Sequence, residues 1–404
     1  MIESMNSTNL LTIVLVSFIS FSFMESSLTR NYSSVDRLWS ITPSVYAFIS
    51  LQHGAFNQRS IVMFALISIW GIRLTHNFHR KGGYRRGEED YRWNNLREMR
   101  MLRHPIVWAF FNLTFISIYQ HTLLFMITLP CVYVAEMNSS NNAELMVALN
   151  GFDFFASASF LFFLFIETKA DNEQFAFQEA KKMYREGKTS NDNTINDKKF
   201  KNDLKNGFLS QGLFARSRHP NFFSEQMIWW SLCVFAYAQS NETSPLFLKS
   251  CKDLKSTTTS KYFIRIISCS VRKRFNVPIC LCSIHYVFLG AILLSLLFQG
   301  STNFTESITS KKYAMYKVYQ KKVNRLIPSL FSNSVAVVSE DDAARTIQQR
   351  WKEKEKKKKK KKNDEEEDSS LVDDHISTKK RTEKKIKKRS LLSEIFRRNS
   401  KKDY

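Results

Sequence analysis

Residues 214–230 read FARSRHPNFFSEQMIWW. Two arginines, a histidine, an asparagine and a glutamate stand against the start of an apolar run that ends in two tryptophans. In a bilayer an unpaired charge costs a few kcal/mol even on the lenient insertion scale, so polar groups at a helix mouth need water, a partner or a ligand. Whether this run enters lipid therefore decides the fold.

Composition points to lipid. The chain has 404 residues with 34 Phe and 14% aromatics, well above ordinary soluble usage. A mean hydropathy of -0.29 averages two unlike parts, because residues 339–404 hold 23 Lys+Arg against 15 Asp+Glu and few apolar side chains. That tail carries +8 of the formal +23, which leaves +15 on the residues before it. No nucleic-acid module accompanies the charge; the basic residues sit between apolar runs, where loops of membrane proteins concentrate them. Six cysteines occur without a CxxC pair, and no His/Cys cluster has zinc-site spacing, so inert thiols and no metal are expected.

Apolar runs centred on 9–25, 38–53, 61–75, 106–133, 145–166, 226–240 and 276–299 predict an all-α, polytopic membrane bundle of about seven transmembrane helices. The first has no basic flank or clear cleavage site and is read as a retained span. The arginine-rich segment 73–103 and the basic segment 169–218 place those loops in the cytosol. The N-terminus is then luminal, the C-terminus cytosolic, and the Asn138-Ser139-Ser140 sequon falls in a luminal loop. Segment 249–274 would be luminal yet holds eight Lys and Arg, and reads as an insertion. A membrane domain over 1–331 is expected to precede a charged, disordered cytosolic tail over 332–404.

A multiply charged ligand would answer the opening stretch: Arg216 and Arg218 suit phosphates, His219 and Asn221 can donate to sugar or amide groups, and Trp229 offers a stacking face. Glu225 lies one helical turn beyond Asn221, on the same face. The competing reading is a positive-inside flank with an interfacial aromatic belt. Arg73, Arg80, Arg85 and Arg86 share one loop region, where any could meet a phosphate or be solvated. Asp36 with Tyr46 forms either a proton-delivering edge or a helix cap with ordinary packing; His219 is the third candidate for proton delivery. Tyr316, on a late amphipathic helix, packs over the mouth or reaches a ligand there.

The order of the motifs adds a resemblance. SRHPNFFSEQMIWW, together with DRLWSITPSVYAF (Asp36–Phe48), WGIRLTHNFHRKGGYRRGEEDYRW (Trp70–Trp93), ETKADNEQFAFQ (Glu167–Gln178) and the stretch Leu296–Phe331, resembles the steroid 5-alpha-reductase C-terminal superfamily in its DUF1295-like branch of integral membrane proteins. The resemblance runs over about residues 33–331. It implies NADPH held from the cytosolic side, with Asn221, Glu225 and Trp229 on cofactor-binding positions, Asp171 on a cofactor-contacting aspartate and Arg73 near a cofactor arginine. The tyrosine and glutamate that polarise the ketone in steroid reductases have no clear equivalent; Trp70 falls where the tyrosine is expected.

With no GxGxxG in the chain, a dinucleotide must be bound by side chains of the bundle. The expected activity is NADPH-dependent reduction of an activated carbon-carbon double bond of a lipid, such as a sterol or enoyl lipid. The alternative is an S-adenosylmethionine-dependent membrane methyltransferase, since isoprenylcysteine carboxyl methyltransferases carry a similar Arg-His-Pro, aromatic and Glu arrangement. A third reading is a non-enzymatic scaffold whose IQ-like segment 344–356 recruits calmodulin. Lys401 and Lys402 resemble a dilysine signal for the endoplasmic reticulum.

Overall fold

The computed structural model of the protein describes residues 7–85, 87–140, 148–187, 195–243 and 286–329. Every regular element among the described residues is helical. In hydrocarbon an unsatisfied backbone group costs several kcal/mol, and a helix pairs them within one segment. Five helical stretches are long and apolar enough to cross a bilayer: Thr8–Thr29, Gln58–Arg80, Pro105–Met126, Gly151–Arg185 and Tyr286–Lys312. They correspond to the first, third, fourth, fifth and seventh apolar runs of the sequence, and they make the chain a multi-pass membrane protein.

The second and sixth runs fold differently from simple spans. The second divides into α2 (Ser34–Leu38) and α3 (Thr42–His53), with Pro43 in the first turn of α3, where its missing N–H costs nothing. At 1.5 Å per residue, α3 is about 18 Å long, short of a hydrocarbon core of about 30 Å. The sixth run lies inside α11 (Pro220–Thr243), a helix of 24 residues that is long enough to cross but carries Asn221, Glu225, Gln226 and Gln239. The fourth run is two helices and not one tilted helix. A π-helical stretch, Asn112–Tyr119, links α6 (Pro105–Phe111) to α7 (Gln120–Met126), and the chain turns before α8 (Leu129–Ser140). Thr128 Oγ1 donates to the Phe125 carbonyl at 2.7 Å in that turn. Asn138 of the sequon lies within α8, donating to the Val134 carbonyl at 2.8 Å, so it stands on a helix and not in a loop.

Three long helices form the frame: α4 (Gln58–Arg80), α9 (Gly151–Arg185) and α11. Met63, Ile67 and Trp70 on α4, Ala156, Phe160 and Leu164 on α9, and Trp229, Leu232 and Ala236 on α11 recur at three- and four-residue spacing and pack into one cluster. The outward faces are also apolar, with Ile72, Phe162 and Phe165 exposed, as lipid contact requires.

Polar pairs at the two ends set the helix directions. Arg59 on α4 bonds Asp153 on α9 at one end, and Arg73 bonds Asp171 at the other, so α4 and α9 run parallel. Asn150 Nδ2 donates to the Ala238 carbonyl at 3.4 Å and Asn221 Nδ2 to Asp171 Oδ1 at 3.5 Å, so α11 runs antiparallel to α9. After α5 (Tyr91–Arg97) and α10 (Ile195–Asn206), α12 (Leu289–Lys312) and α13 (Tyr316–Lys322) complete the described chain. Gly290 is required where α12 meets α7, since a β-carbon there would stand 2.2 Å from the Met126 carbonyl oxygen. The reading of 249–274 as an insertion and of 332–404 as a tail, with the IQ-like and dilysine signals, falls outside the described residues.

Candidate functional site

Pro220 opens α11, which places Asn221, Glu225 and Trp229 at successive turns of one face. Each indole of Trp70 and Trp229 is buried, and a buried N–H needs an acceptor. Both find it in Glu225: Trp70 Nε1 donates to Oε2 at 2.9 Å, and Trp229 Nε1 donates to Oε1 at 3.0 Å. The two rings meet edge to face with centroids 4.9 Å apart. One carboxylate thereby locks α4 against α11.

Beside this lock, α4 and α9 face each other through two pairs of residues spaced by one turn. Arg73 Nη1 donates to Asp171 Oδ2 at 2.7 Å, and Arg73 Nη2 lies 2.5 Å from Glu167 Oε1. Asn77 Nδ2 donates to Asp171 Oδ2 at 2.7 Å, while Lys81 Nζ stands 3.4 Å from Oδ1. With Asn221 also turned to it, Asp171 is the hub of the cup. Glu167, Asp171 and Glu225 are all buried, so three buried carboxyl groups surround one guanidinium. Among the described residues Arg80, one turn beyond Asn77, bonds only to amide oxygens, Asn77 Oδ1 at 2.9 Å and Asn172 Oδ1 at 2.6 Å, and lies 4.6 Å from the centre of the Phe175 ring.

Arg218 and His219 serve a second carboxylate. Arg218 grips Glu306 of α12 with both arms of its fork, at 2.7 Å and 3.1 Å, a bidentate geometry. His219 Nε2 is 2.9 Å from Glu306 Oε1, and Gln320 Nε2 donates to Oε2 at 2.8 Å. Arg218 also donates to the Gln320 carbonyl at 2.9 Å and to that of Val323. These bonds clamp α12 and α13 onto the mouth of α11. Arg216 points outward and is exposed. Tyr316 is buried, its ring edge-on to Phe208 at 5.1 Å.

Asp36, Tyr46 and His219 are not brought together. Asp36 Oδ2 accepts from Trp93 Nε1 at 2.9 Å, joining α2 to α5. Tyr46 is fully buried, packed on Phe125 at 5.3 Å and Phe18 at 6.3 Å, and its hydroxyl has no partner among the described residues.

Burial pushes the Asp36 carboxyl above its ordinary range, against the pull of Arg92. A raised acid binds its proton more tightly in the folded state than in the unfolded chain. Stability therefore falls as pH rises from the unfolded value of about 3.9 through the folded one. Asp36→Asn keeps an acceptor for Trp93, so it is expected to unfold at a higher temperature than the wild type above that window. The gap should close as pH falls below it, and melting curves across pH in detergent read both; a gap independent of pH would contradict this.

Sequence reasoning missed Glu167, Asn77 and Glu306. The four-residue spacings of Arg73 with Asn77 and of Glu167 with Asp171 were the available signal for the first two. Glu306 had none, because its basic partners lie 87 and 88 residues away.

Comparison with known proteins extends this picture. Residues 22–258 match the family described as protein of unknown function (DUF1295). A protein of Schizosaccharomyces pombe described as uncharacterized is 31% identical over 320 residues, 78% of this chain and 77% of the relative. No solved structure matches the chain.

Proposed function

Because the chain belongs to the DUF1295 family, whose function is unknown, we propose an activity from the site itself: NADPH-dependent reduction of an activated carbon-carbon double bond of a lipid. The observation that carries the reading is the convergence of Asn221, Glu225 and Trp229 with Asp171 and Arg73. The resemblance to steroid reductases assigns the first four of these to the cofactor and puts Arg73 near a cofactor arginine. We read the bundle as about seven helical passages, α11 crossing in full beside the five apolar spans and α3 entering only part of the core, with the cup at the cytosolic end.

The residues present fit a dinucleotide. Arg73 and Arg218 are engaged by carboxylates, but Arg80 bonds only to neutral amides and Arg216 is exposed, so these two are the cations that would meet phosphates. Asn221 and Glu225 offer a donor and an acceptor to a carboxamide. When bound, NADPH would supply the hydride for one carbon of the double bond, the neighbouring carbon taking a proton. Trp70 and Trp229 exclude water from the inner wall and hold Glu225 in place. His219, two residues before Asn221, is the proton-delivery candidate nearest the cup in the chain; Asp36 and Tyr46 stand in other clusters.

A second reading draws on a different observation. Three buried carboxyl groups around one guanidinium would suit the sulfonium and amine of S-adenosylmethionine, as in a membrane methyltransferase. Thermal unfolding of the purified protein with each cofactor in parallel separates the two. NADPH at a hundredfold excess over its Kd is expected to stabilise by about 2.7 kcal/mol. Asn221→Ala with Glu225→Gln should weaken binding by roughly ten- to a hundredfold, the range for hydrogen bonds to charged groups. Stabilisation by S-adenosylmethionine alone would overturn the reductase; response to neither would leave the scaffold with a calmodulin-binding tail. Residence in the endoplasmic reticulum belongs to the same proposal, and Lys401→Ser with Lys402→Ser should release a tagged protein to later compartments.

A further inference from the structure

The opposite face of α4 carries a groove that the cup does not use. It has a volume of about 970 Å³ and runs between α3 and α4. Ile72, Val45, Phe48 and Phe64 give it apolar walls, and the Phe48 and Phe64 rings meet at 5.6 Å at the inner end. Along its base the helices are in close contact. A β-carbon on Gly71 would lie 2.6 Å from the Ser40 carbonyl oxygen, and Ser40 Oγ and Thr75 Oγ1 are bonded at 2.6 Å. The outer end is polar, lined by His76, His79 and Tyr84.

Length and charge together select an occupant. From Phe64 to His79 on α4 is fifteen residues, about 22 Å along the axis. That is one leaflet with its headgroup layer, about half of the 40–45 Å of a whole bilayer, so the groove accommodates a lipid of one leaflet and not a partner helix crossing both. No acidic residue occurs from Ile72 to Gly87. Arg85 is exposed and follows Tyr84 of this lining in the chain, and the Tyr84 hydroxyl donates to the Arg37 carbonyl at 3.1 Å, tying this mouth to α2. Basic pockets between membrane helices hold anionic headgroups in this way.

We infer that the α3–α4 groove binds an anionic phospholipid, its phosphate at His76, His79 and Arg85 and an acyl chain laid along Gly71 and Ile72 toward Phe48 and Phe64. The site is separate from the cup, so its test does not depend on any cofactor.

The experiment uses the full-length protein in phosphatidylcholine nanodiscs doped with phosphatidylserine or phosphatidylcholine bearing a photoactivatable diazirine in the acyl chain, with labelled peptides mapped by mass spectrometry. Phosphatidylserine should label the segments around Val45 and Ile72 roughly tenfold more than phosphatidylcholine does. Arg85→Ala should lower that labelling about fivefold. Ser68→Trp, which fills the groove, should abolish it while the unfolding temperature holds; Ser44→Leu replaces it if that variant does not fold. Equal labelling by the two lipids, labelling no stronger than on the exposed face at Phe162 and Phe165, or an unaffected Arg85→Ala would overturn the proposal. Displacement by inorganic phosphate alone would overturn the lipid as the source.

Discussion

Asp153→Ala is expected to destabilise the bundle by about 3–5 kcal/mol, the cost of leaving a buried charge without its partner. Arg59 and Asp153 are 1% and 2% exposed. The guanidinium donates to Asp153 through Nε at 2.7 Å and Nη2 at 2.7 Å, with Gln239 on its remaining arm. The same carboxylate accepts from the Asn150 backbone N–H at 2.9 Å, closing the capping box that starts α9. Its removal therefore frays a helix terminus as well, a further loss of about 1 kcal/mol. The double replacement Arg59→Met with Asp153→Leu removes both charges and should recover most of the loss. Unfolding of the two proteins in detergent micelles measures the difference, and a single variant within about 1 kcal/mol of wild type would refute a structural role for the pair.

Arg73→Ala is the second large effect, expected at about 3–5 kcal/mol by the same physics. It leaves Glu167 and Asp171, 4% and 5% exposed, side by side with Glu225 nearby and, among the described residues, the half-exposed Lys81 as the cation on Asp171. Arg73→Lys should restore part of the loss, because a point charge cannot hold both carboxylates in the forked geometry. Adding Asp171→Asn to Arg73→Ala should cost less than the two single losses combined, with a coupling of about 0.5–3 kcal/mol in a double-mutant cycle. Strict additivity would mean that Arg73 and Asp171 do not act on each other. Binding of NADPH to Arg73→Lys, if retained, would place the phosphate contacts on Arg80 and Arg216.

Two clusters of opposite purpose thus bracket the α4–α9–α11 frame. The Arg59 end is closed on itself, each charge answered by a neighbour. The Arg73 end has more carboxylates than cations and opens toward basic residues at its rim.

The apolar runs of the sequence determined the membrane and the helices, because length and hydropathy are local properties and lipid enforces backbone pairing within each segment. The four-residue spacing of Asn221, Glu225 and Trp229 likewise determined that they share a face. Where α3 begins and where the fourth run turns from α7 into α8 depended on packing against neighbours that the pattern does not name. The roles of the arginines were decided by tertiary structure alone. Arg216 and Arg218 are two residues apart in one basic flank, yet Arg218 is bound by Glu306 from α12 while Arg216 faces outward. Arg73 and Arg80 stand two turns apart on one helix, and only Arg73 meets carboxylates, supplied by α9 from 94 and 98 residues further on. A cation's chemistry is set by the charge that reaches it through space, and that distance is fixed only when distant helices pack.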